Sequence, residues 1–448
     1  MSLDDVPKPS PAIDEEEAQR YLRVAARLAA EVPGLQGVEP RRFERTAVIG
    51  AGTMGAGIAV SLADAGLPVQ LLERDAAAAD AGLERVTAIY HRQATRRGRL
   101  TEAQARERLA RITATADWSV LRNADLVVEA AFEDFAVKAE IFRRLDDLLP
   151  AGAVLASNTS YLDLDALAAV TRRAQDVLGL HFFSPANVMK LLEIVRGKRT
   201  APDVLATGLA LAAKLGKQPV VAGVCDGFIG NRIYAVYRRH AEYLVEDGAS
   251  PQEVDDALES YGFAMGIFAV SDMSGLDIAF AMRRRRDATR NTAERYVAIP
   301  DRLCELGRLG RKTGAGWYAY DPAGKKQPDA LTARLIDAER KAKGIAARCF
   351  GPAEIQRRLI AVMANEGARE LAEGIALRAS DIDVAFVNGY GFPAAKGGPM
   401  WTADRIGLDK ILTEMESAHA VGGAGSEPAP LLIELARSGK KFGDWRNA

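Results

Sequence analysis

Residues 46–75, TAVIGAGTMGAGIAVSLADAGLPVQLLERD, limit the possible folds more than any other stretch of the chain. An apolar strand runs into a glycine-rich turn, a helix follows, and a second apolar strand closes a βαβ unit. Gly50, Gly52 and Gly55 have G-x-G-x-x-G spacing. The first glycine permits a tight turn, the second lets backbone approach a pyrophosphate, and the third allows close helix–strand packing. Thr53 and Met54 complete the loop where the helix opens and would present free N–H groups to the phosphates. Glu73 ends the next strand, where an acid would accept hydrogen bonds from ribose hydroxyls and repel a 2′-phosphate. The stretch therefore predicts dinucleotide binding, with NAD favoured over NADP, although Arg74 beside the acid is the residue type that accommodates a 2′-phosphate.

A chain of 448 residues is too long for one core. Further apolar runs follow the βαβ unit: LVVEA (126–130), AVLASN (153–158), VLGLHFF (177–183) and PVVAG (219–223), with helical patterns between most of them. This alternation predicts a mainly parallel sheet covered on both faces. Residues 76–112 read as a charged helical hairpin broken at RRGRL. Residues 1–12 read as a disordered leader, about 13–31 as a helix, and VPGLQGVEPRRFER as a linker. Lys and Arg number 59 against 60 Asp and Glu, so no global basic field attracts nucleic acid or an acidic membrane. No apolar run is long enough to span a bilayer. Three scattered cysteines form no CxxC, no metal site is expected, and GDWRNA matches no peroxisomal or retention signal. A cytosolic protein is expected.

Near Cys225 the strands stop and amphipathic helices take over. The helical part contains a repeat: Gly248 matches Gly374, Tyr261-Gly262-Phe263 matches Tyr390-Gly391-Phe392, and Gly275-Leu276-Asp277 matches Gly407-Leu408-Asp409. A period of about 130 residues means two copies of a whole helical domain. The expected organisation is a leader and linker helix (1–44), a Rossmann-type doubly wound α/β domain (45–224), and two tandem all-α domains (225–322 and 323–448), the last a degenerate copy.

Ligands of open α/β sheets bind beyond the carboxyl ends of the strands. Three polar groups fall there: VVEAAFED, ASNTS and HFF, the last with His181. Taken alone, His181 reads as a hydrogen-bonded core histidine or a catalytic one. The ordered set VIGAGTMG, LVVEAAFEDFAVK, ASNTS, GLHFFSPANVMKLLEIV, DGFIGNR and GLGRKTGAGWY resembles the L-3-hydroxyacyl-CoA dehydrogenases. The resemblance runs from Arg45 to the end. The second helical copy resembles the duplicated C-terminal part of multifunctional fatty-acid oxidation enzymes, and RLAAEVPGLQGVEP resembles the linker that follows their hydratase half. No hydratase half is present among these residues, so the resemblance implies the dehydrogenase alone.

By that resemblance His181 is the catalytic base and Glu193 its orienting partner. Ser160 and Asn231 contact the substrate, with Ser160 also contacting the cofactor; a helix N-cap and a buried polar residue are the plain readings of these two. Glu133, Lys138, Asn158 and Lys312 lie near the nicotinamide side. Arg357 stands in the second copy where Asn231 stands in the first, which implies a single active site and a structural second copy. The chain departs from the family pattern at Ser184, where asparagine is expected, and at Tyr161, where a small hydroxyl residue is common. The basic clusters at 92–100 and 283–286 read as solvated faces, although the first corresponds to an arm that approaches the CoA phosphates. The implied reaction is NAD-dependent oxidation of an (S)-3-hydroxyacyl-CoA. A hydroxy-acid or sugar-acid dehydrogenase and a non-catalytic NAD-binding scaffold are the alternatives. A monomer or weak homodimer is expected, with association to a hydratase or thiolase possible.

Overall fold

The computed structural model describes residues 14–95, 100–287 and 290–446. The expected disordered leader and residues 96–99 of the basic cluster at 92–100 lie outside the described residues. The chain opens with helix α1 (Glu15–Ala30), whose first turn is capped by Asp14 accepting from the Glu16 N–H. Its linker is tied down by Arg41, which pairs with Asp203 at 2.6 Å and Asp176 at 2.8 Å. The α/β region then runs β1 (Thr46–Ile49), α2 (Thr53–Asp64), β2 (Val69–Leu72), α3 (Ala76–Thr95), α4 (Glu102–Leu109), β3 (Ile112–Thr115), β4 (Leu126–Glu129) and α5 (Phe135–Leu148). It continues with β5 (Val154–Ser157), α6 (Leu164–Ala169), β6 (Val177–Phe182), β7 (Leu191–Val195), α7 (Pro202–Lys214) and β8 (Gln218–Ala222).

The eight strands lie in the order β3-β2-β1-β4-β5-β6-β7-β8. Every neighbouring pair is parallel except β6 and β7. β1, β4, β5, β6 and β7 are buried throughout, as strands covered on both faces must be. One face packs on α2, α3 and α7; the other packs on α5 and α6 and continues into the helical region. β3 begins where the expected helical hairpin ends, at a place where the sequence reading put no strand. Its sequence ITAT buries only Ile112, so a four-residue edge strand leaves almost no alternating pattern to read.

The helical region comprises α8 (Gly230–Asp247), α9 (Pro251–Tyr261), α10 (Ile267–Ser274), α11 (Leu276–Arg286), α12 (Ile299–Glu305) and α13 (Ala330–Lys343). Then come α14 (Pro352–Ala372), α15 (Ala379–Gly389), α16 (Pro399–Ile406), α17 (Leu408–Gly422) and α18 (Pro430–Ser438). The repeat survives at the level of backbone geometry. Gly275 precedes α11 at φ 98°, ψ 121°, and Gly407 precedes α17 at φ 103°, ψ 126°. The copies share one apolar core, and α14 packs against both α8 and α9. The arginine run 283–286 is not uniformly solvated: Arg283 is largely buried and paired with Glu242 and Asp301, whereas Arg284 is exposed. Helix α1 docks on the second copy, where Tyr21 donates to Asp383 at 2.6 Å.

Candidate active site

The glycine turn sits between β1 and β4, where the strand order reverses direction. Gly50 has φ 91°, and a Cβ there would lie 2.7 Å from the Ala130 carbonyl oxygen. A Cβ on Gly55 would lie 1.7 Å from the Gly50 oxygen, so only glycine lets α2 start this close to β1. Gly52, Thr53 and Met54 lie at the start of α2, and no side chain caps its first turn. Its unpaired N–H groups form an anion seat. Glu73 accepts from the Ala51 N–H at 2.7 Å and the Arg74 N–H at 3.1 Å, and its oxygens keep lone pairs for ribose hydroxyls. The Arg74 guanidinium pairs with Asp75 and is not committed to a phosphate seat. A turn too tight for a Cβ at Gly50 or Gly55, an uncapped helix and a strand-end acid together fit NAD.

Next to the cradle lies a polar shelf. Glu133 accepts from the Thr159 hydroxyl at 2.6 Å and from the Ser160 and Tyr161 N–H groups at 2.9 and 3.2 Å. The Asn158 side-chain oxygen accepts from the Phe182 N–H at 2.8 Å, tying the end of β5 to β6. Lys138 is 1% exposed; its ammonium lies 2.7 Å from Glu129 and 3.4 Å from Glu133. Glu129 is fully buried and also accepts from the Ala131 N–H and the Ser157 hydroxyl. Lys138 thus supports the shelf from beneath. The sequence reading missed Glu129, although an acid inside the apolar run LVVEA is the same signal that marks Glu193. Lys312 is bonded to Asp277 at the start of α11, outside this network.

On the next two strands, the antiparallel register sets His181 directly opposite Glu193. The His181 Nδ1 lies 2.7 Å from Glu193 Oε2, and both residues are buried. The other carboxylate oxygen accepts from the Gly230 N–H at 2.9 Å, at the beginning of α8. A helix N-terminus facing a carboxylate favours its negative charge. Glu193 is therefore held at both oxygens, and an imidazole donating through Nδ1 leaves Nε2 as a lone-pair base. Phe183 and Phe228 flank the ring with centroids at 4.5 and 5.6 Å, excluding water from its sides. Phe228 is the non-glycine residue among those described that adopts a positive φ, 50°, where the chain turns from β8 into α8.

Asn231 follows Gly230 on α8, and its side-chain oxygen accepts from the Tyr390 hydroxyl at 2.8 Å. Burial, then the nearby Glu193 charge, push the Tyr390 phenol well above its ordinary range, so it stays a neutral donor. Tyr390 belongs to the second copy, which the sequence reading treated as structural only. On the rim, Tyr161 lies with Arg285 over its ring at 5.2 Å, and burial pushes its phenol up to about 12.

Residues 45–225 match the NAD-binding domain of 3-hydroxyacyl-CoA dehydrogenase, and residues 227–320 and 355–444 match its C-terminal domain. The chain belongs to the 3-hydroxyacyl-CoA dehydrogenase family. This is a family of NAD-dependent oxidoreductases. Over 91% of its length the chain is 42% identical to the peroxisomal bifunctional enzyme of Danio rerio, and over 89% it is 38% identical to that of Homo sapiens. It spans 58% and 57% of those relatives' lengths, less than two thirds in each case. The fold resembles 3-hydroxybutyryl-CoA dehydrogenase from Escherichia coli K12, with TM-score 0.76, 29% identity, and coverage of 89% of this chain and 99% of that one. It also resembles the dehydrogenase part of multifunctional enzyme 1 from C. elegans, with TM-score 0.67, 28% identity, and coverage of 93% and 98%. Two of these relatives are named as peroxisomal proteins, which the expected cytosolic location did not anticipate. Among the described residues no helix is long and apolar enough to cross a membrane.

Proposed function

We propose that this chain catalyses the reversible oxidation of an (S)-3-hydroxyacyl-CoA to the 3-ketoacyl-CoA, with His181, Glu193, Ser160 and Asn231 as its reaction machinery. The observation that carries the reading is the buried His181–Glu193 pair, held across a strand register beside a dinucleotide cradle. Nε2 of His181 takes the proton of the 3-hydroxyl. NAD, held by residues 50–55 with Glu73 and the Glu133 shelf, would supply the acceptor for the hydride that leaves C3. Glu193 keeps the imidazole in the tautomer that exposes Nε2 and stabilises the imidazolium once the proton has moved. Ser160 and the Asn231 amide hydrogen-bond the C3 oxygen, and in the reductive direction His181 returns the proton.

The test is NADH-linked absorbance with acetoacetyl-CoA and a longer 3-ketoacyl-CoA. Wild type turns over at least one ester, and His181→Ala loses roughly 10³-fold in kcat with NADH binding intact. An NADH-binding protein inert towards both esters would sink the proposal.

The second copy covers the first through Arg232 pairing with Glu366 at 2.6 Å and Gln356 donating to the Ala257 carbonyl at 2.7 Å. Internal packing of this kind supports a monomer or weak dimer; a tight dimer in sedimentation velocity contradicts it. Association with a hydratase or thiolase is a further proposal, suited to relatives named as bifunctional and testable by co-sedimentation with such enzymes. Cys225, Cys304 and Cys349 are free thiols, which supports a reducing compartment such as the cytosol. Cell fractionation decides between that location and an organelle.

A further inference from the structure

Tyr390 is the point at which the second helical copy meets the reaction machinery. Its hydroxyl donates to the Asn231 side-chain oxygen at 2.8 Å. Its ring packs so closely on Gly230 that a Cβ there would lie 2.1 Å from a ring carbon. The Gly230 N–H, in turn, holds Glu193. On its other side the ring meets Phe183 edge-on at 5.5 Å, and Phe183 lies against His181. One side chain thus contacts Asn231 and the neighbours of Glu193 and His181, three of the four groups assigned to the reaction machinery. An amide is planar, so fixing its oxygen fixes its nitrogen. With the carbonyl committed to Tyr390, the Asn231 NH₂ is the group left to face the cleft as a donor.

We propose that Tyr390 is a positioning residue that sets the Asn231 amide to donate to the C3 oxygen, so that the second copy completes the active site of the first. The inference rests on the assignment of Asn231 and His181 under the proposed function. The first copy supplies an internal control. Tyr261 occupies the repeat-related position, yet its ring lies against Phe263 and Phe392 instead of against the site.

The experiment uses the full chain, with acetoacetyl-CoA and NADH, in a double-mutant cycle of Tyr390→Phe and Asn231→Ala, with Tyr261→Phe alongside. Tyr390→Phe loses about tenfold in kcat, as expected for one aligned hydrogen bond, with the KM for NADH unchanged and the Tm lowered by no more than a few degrees. In the Asn231→Ala background the same substitution changes kcat less than twofold, because its target is gone. Tyr261→Phe stays within twofold of wild type. Tyr390→Phe at the wild-type rate, or a tenfold loss that persists without Asn231, overturns the inference while leaving the reaction assignment standing. A wild type that turns over no CoA ester removes both.

Discussion

The two helical copies build the same buried joint with tyrosines from different places. In the first, Asp255 on α9 accepts from the Phe268 and Ala269 N–H groups at 2.9 and 3.0 Å, capping α10, and from the Tyr318 hydroxyl at 2.8 Å. In the second, Asp383 on α15 accepts from the Met400 and Trp401 N–H groups at 2.7 and 3.0 Å, capping α16, and from the Tyr21 hydroxyl at 2.6 Å. Glycines at both caps make room: a Cβ on Gly266 or Gly398 would lie 2.2 or 2.3 Å from the aspartate. Tyr318 comes from within the first copy, Tyr21 from the helix that precedes the sheet. A buried carboxylate must be hydrogen-bonded, but nothing in that requirement says which part of the chain supplies the donor. Duplication kept the need and changed the source.

The copies differ more sharply where they face the sheet. α8 starts against Glu193 and carries Asn231, the proposed substrate contact, whereas Arg357 on α14 is half-exposed and lies 3.8 Å from Glu414. Asn231→Ala is expected to lower kcat/KM by about 10²-fold and Arg357→Ala by less than twofold, in the same absorbance assay. Equal losses would erase the distinction between a working copy and a supporting one. Asp383→Ala and Asp255→Ala each leave two N–H groups and a phenol without their acceptor, at a cost of about 3 kcal/mol in urea unfolding. Asp383→Ala should also free α1, giving new tryptic cleavage between residues 31 and 45 that Asp255→Ala does not produce.

A pH series sharpens the comparison further. Burial raises the Asp255 carboxyl to about 6 and raises Asp383 well above its ordinary range. Between about pH 4, where the unfolded carboxyl titrates, and about pH 6, folded Asp255 retains a proton that the unfolded chain has released. Its contribution is complete below that window and is lost as pH rises through it. The stability of wild type relative to Asp255→Asn should therefore fall by about 2 kcal/mol between pH 4 and pH 7; a difference independent of pH would refute the assignment. Smallest of all, Tyr21→Phe and Tyr318→Phe each remove one donor, costing about 1 kcal/mol in the same unfolding experiment.

How much of this could be read beforehand depended on range. The glycine turn is local, and its spacing pointed to the cradle directly. His181 and Glu193 are separated by twelve residues, and a strand–turn–strand reading brings them close. Glu129 and Lys138 were harder, because a buried ion pair looks the same in sequence as two ordinary surface charges. Tyr390 bonds to a residue 159 positions away, and Tyr21 to one 362 positions away. No periodicity reports such contacts. Nor does a second copy without the His–Glu sheet announce in its sequence that its tyrosine lies against Gly230.

The Tyr21–Asp383 bond also sets a timetable. A ribosome releases α1 long before it has made α15, and 362 residues separate the two partners. At roughly 5–20 residues per second, the delay is on the order of 20–70 seconds. During that interval the sheet domain has its whole sequence and can fold, while α1 still lacks its seat. α1 thus emerges ahead of the sheet yet is fastened after it, and it locks only when the second helical copy has closed over the first.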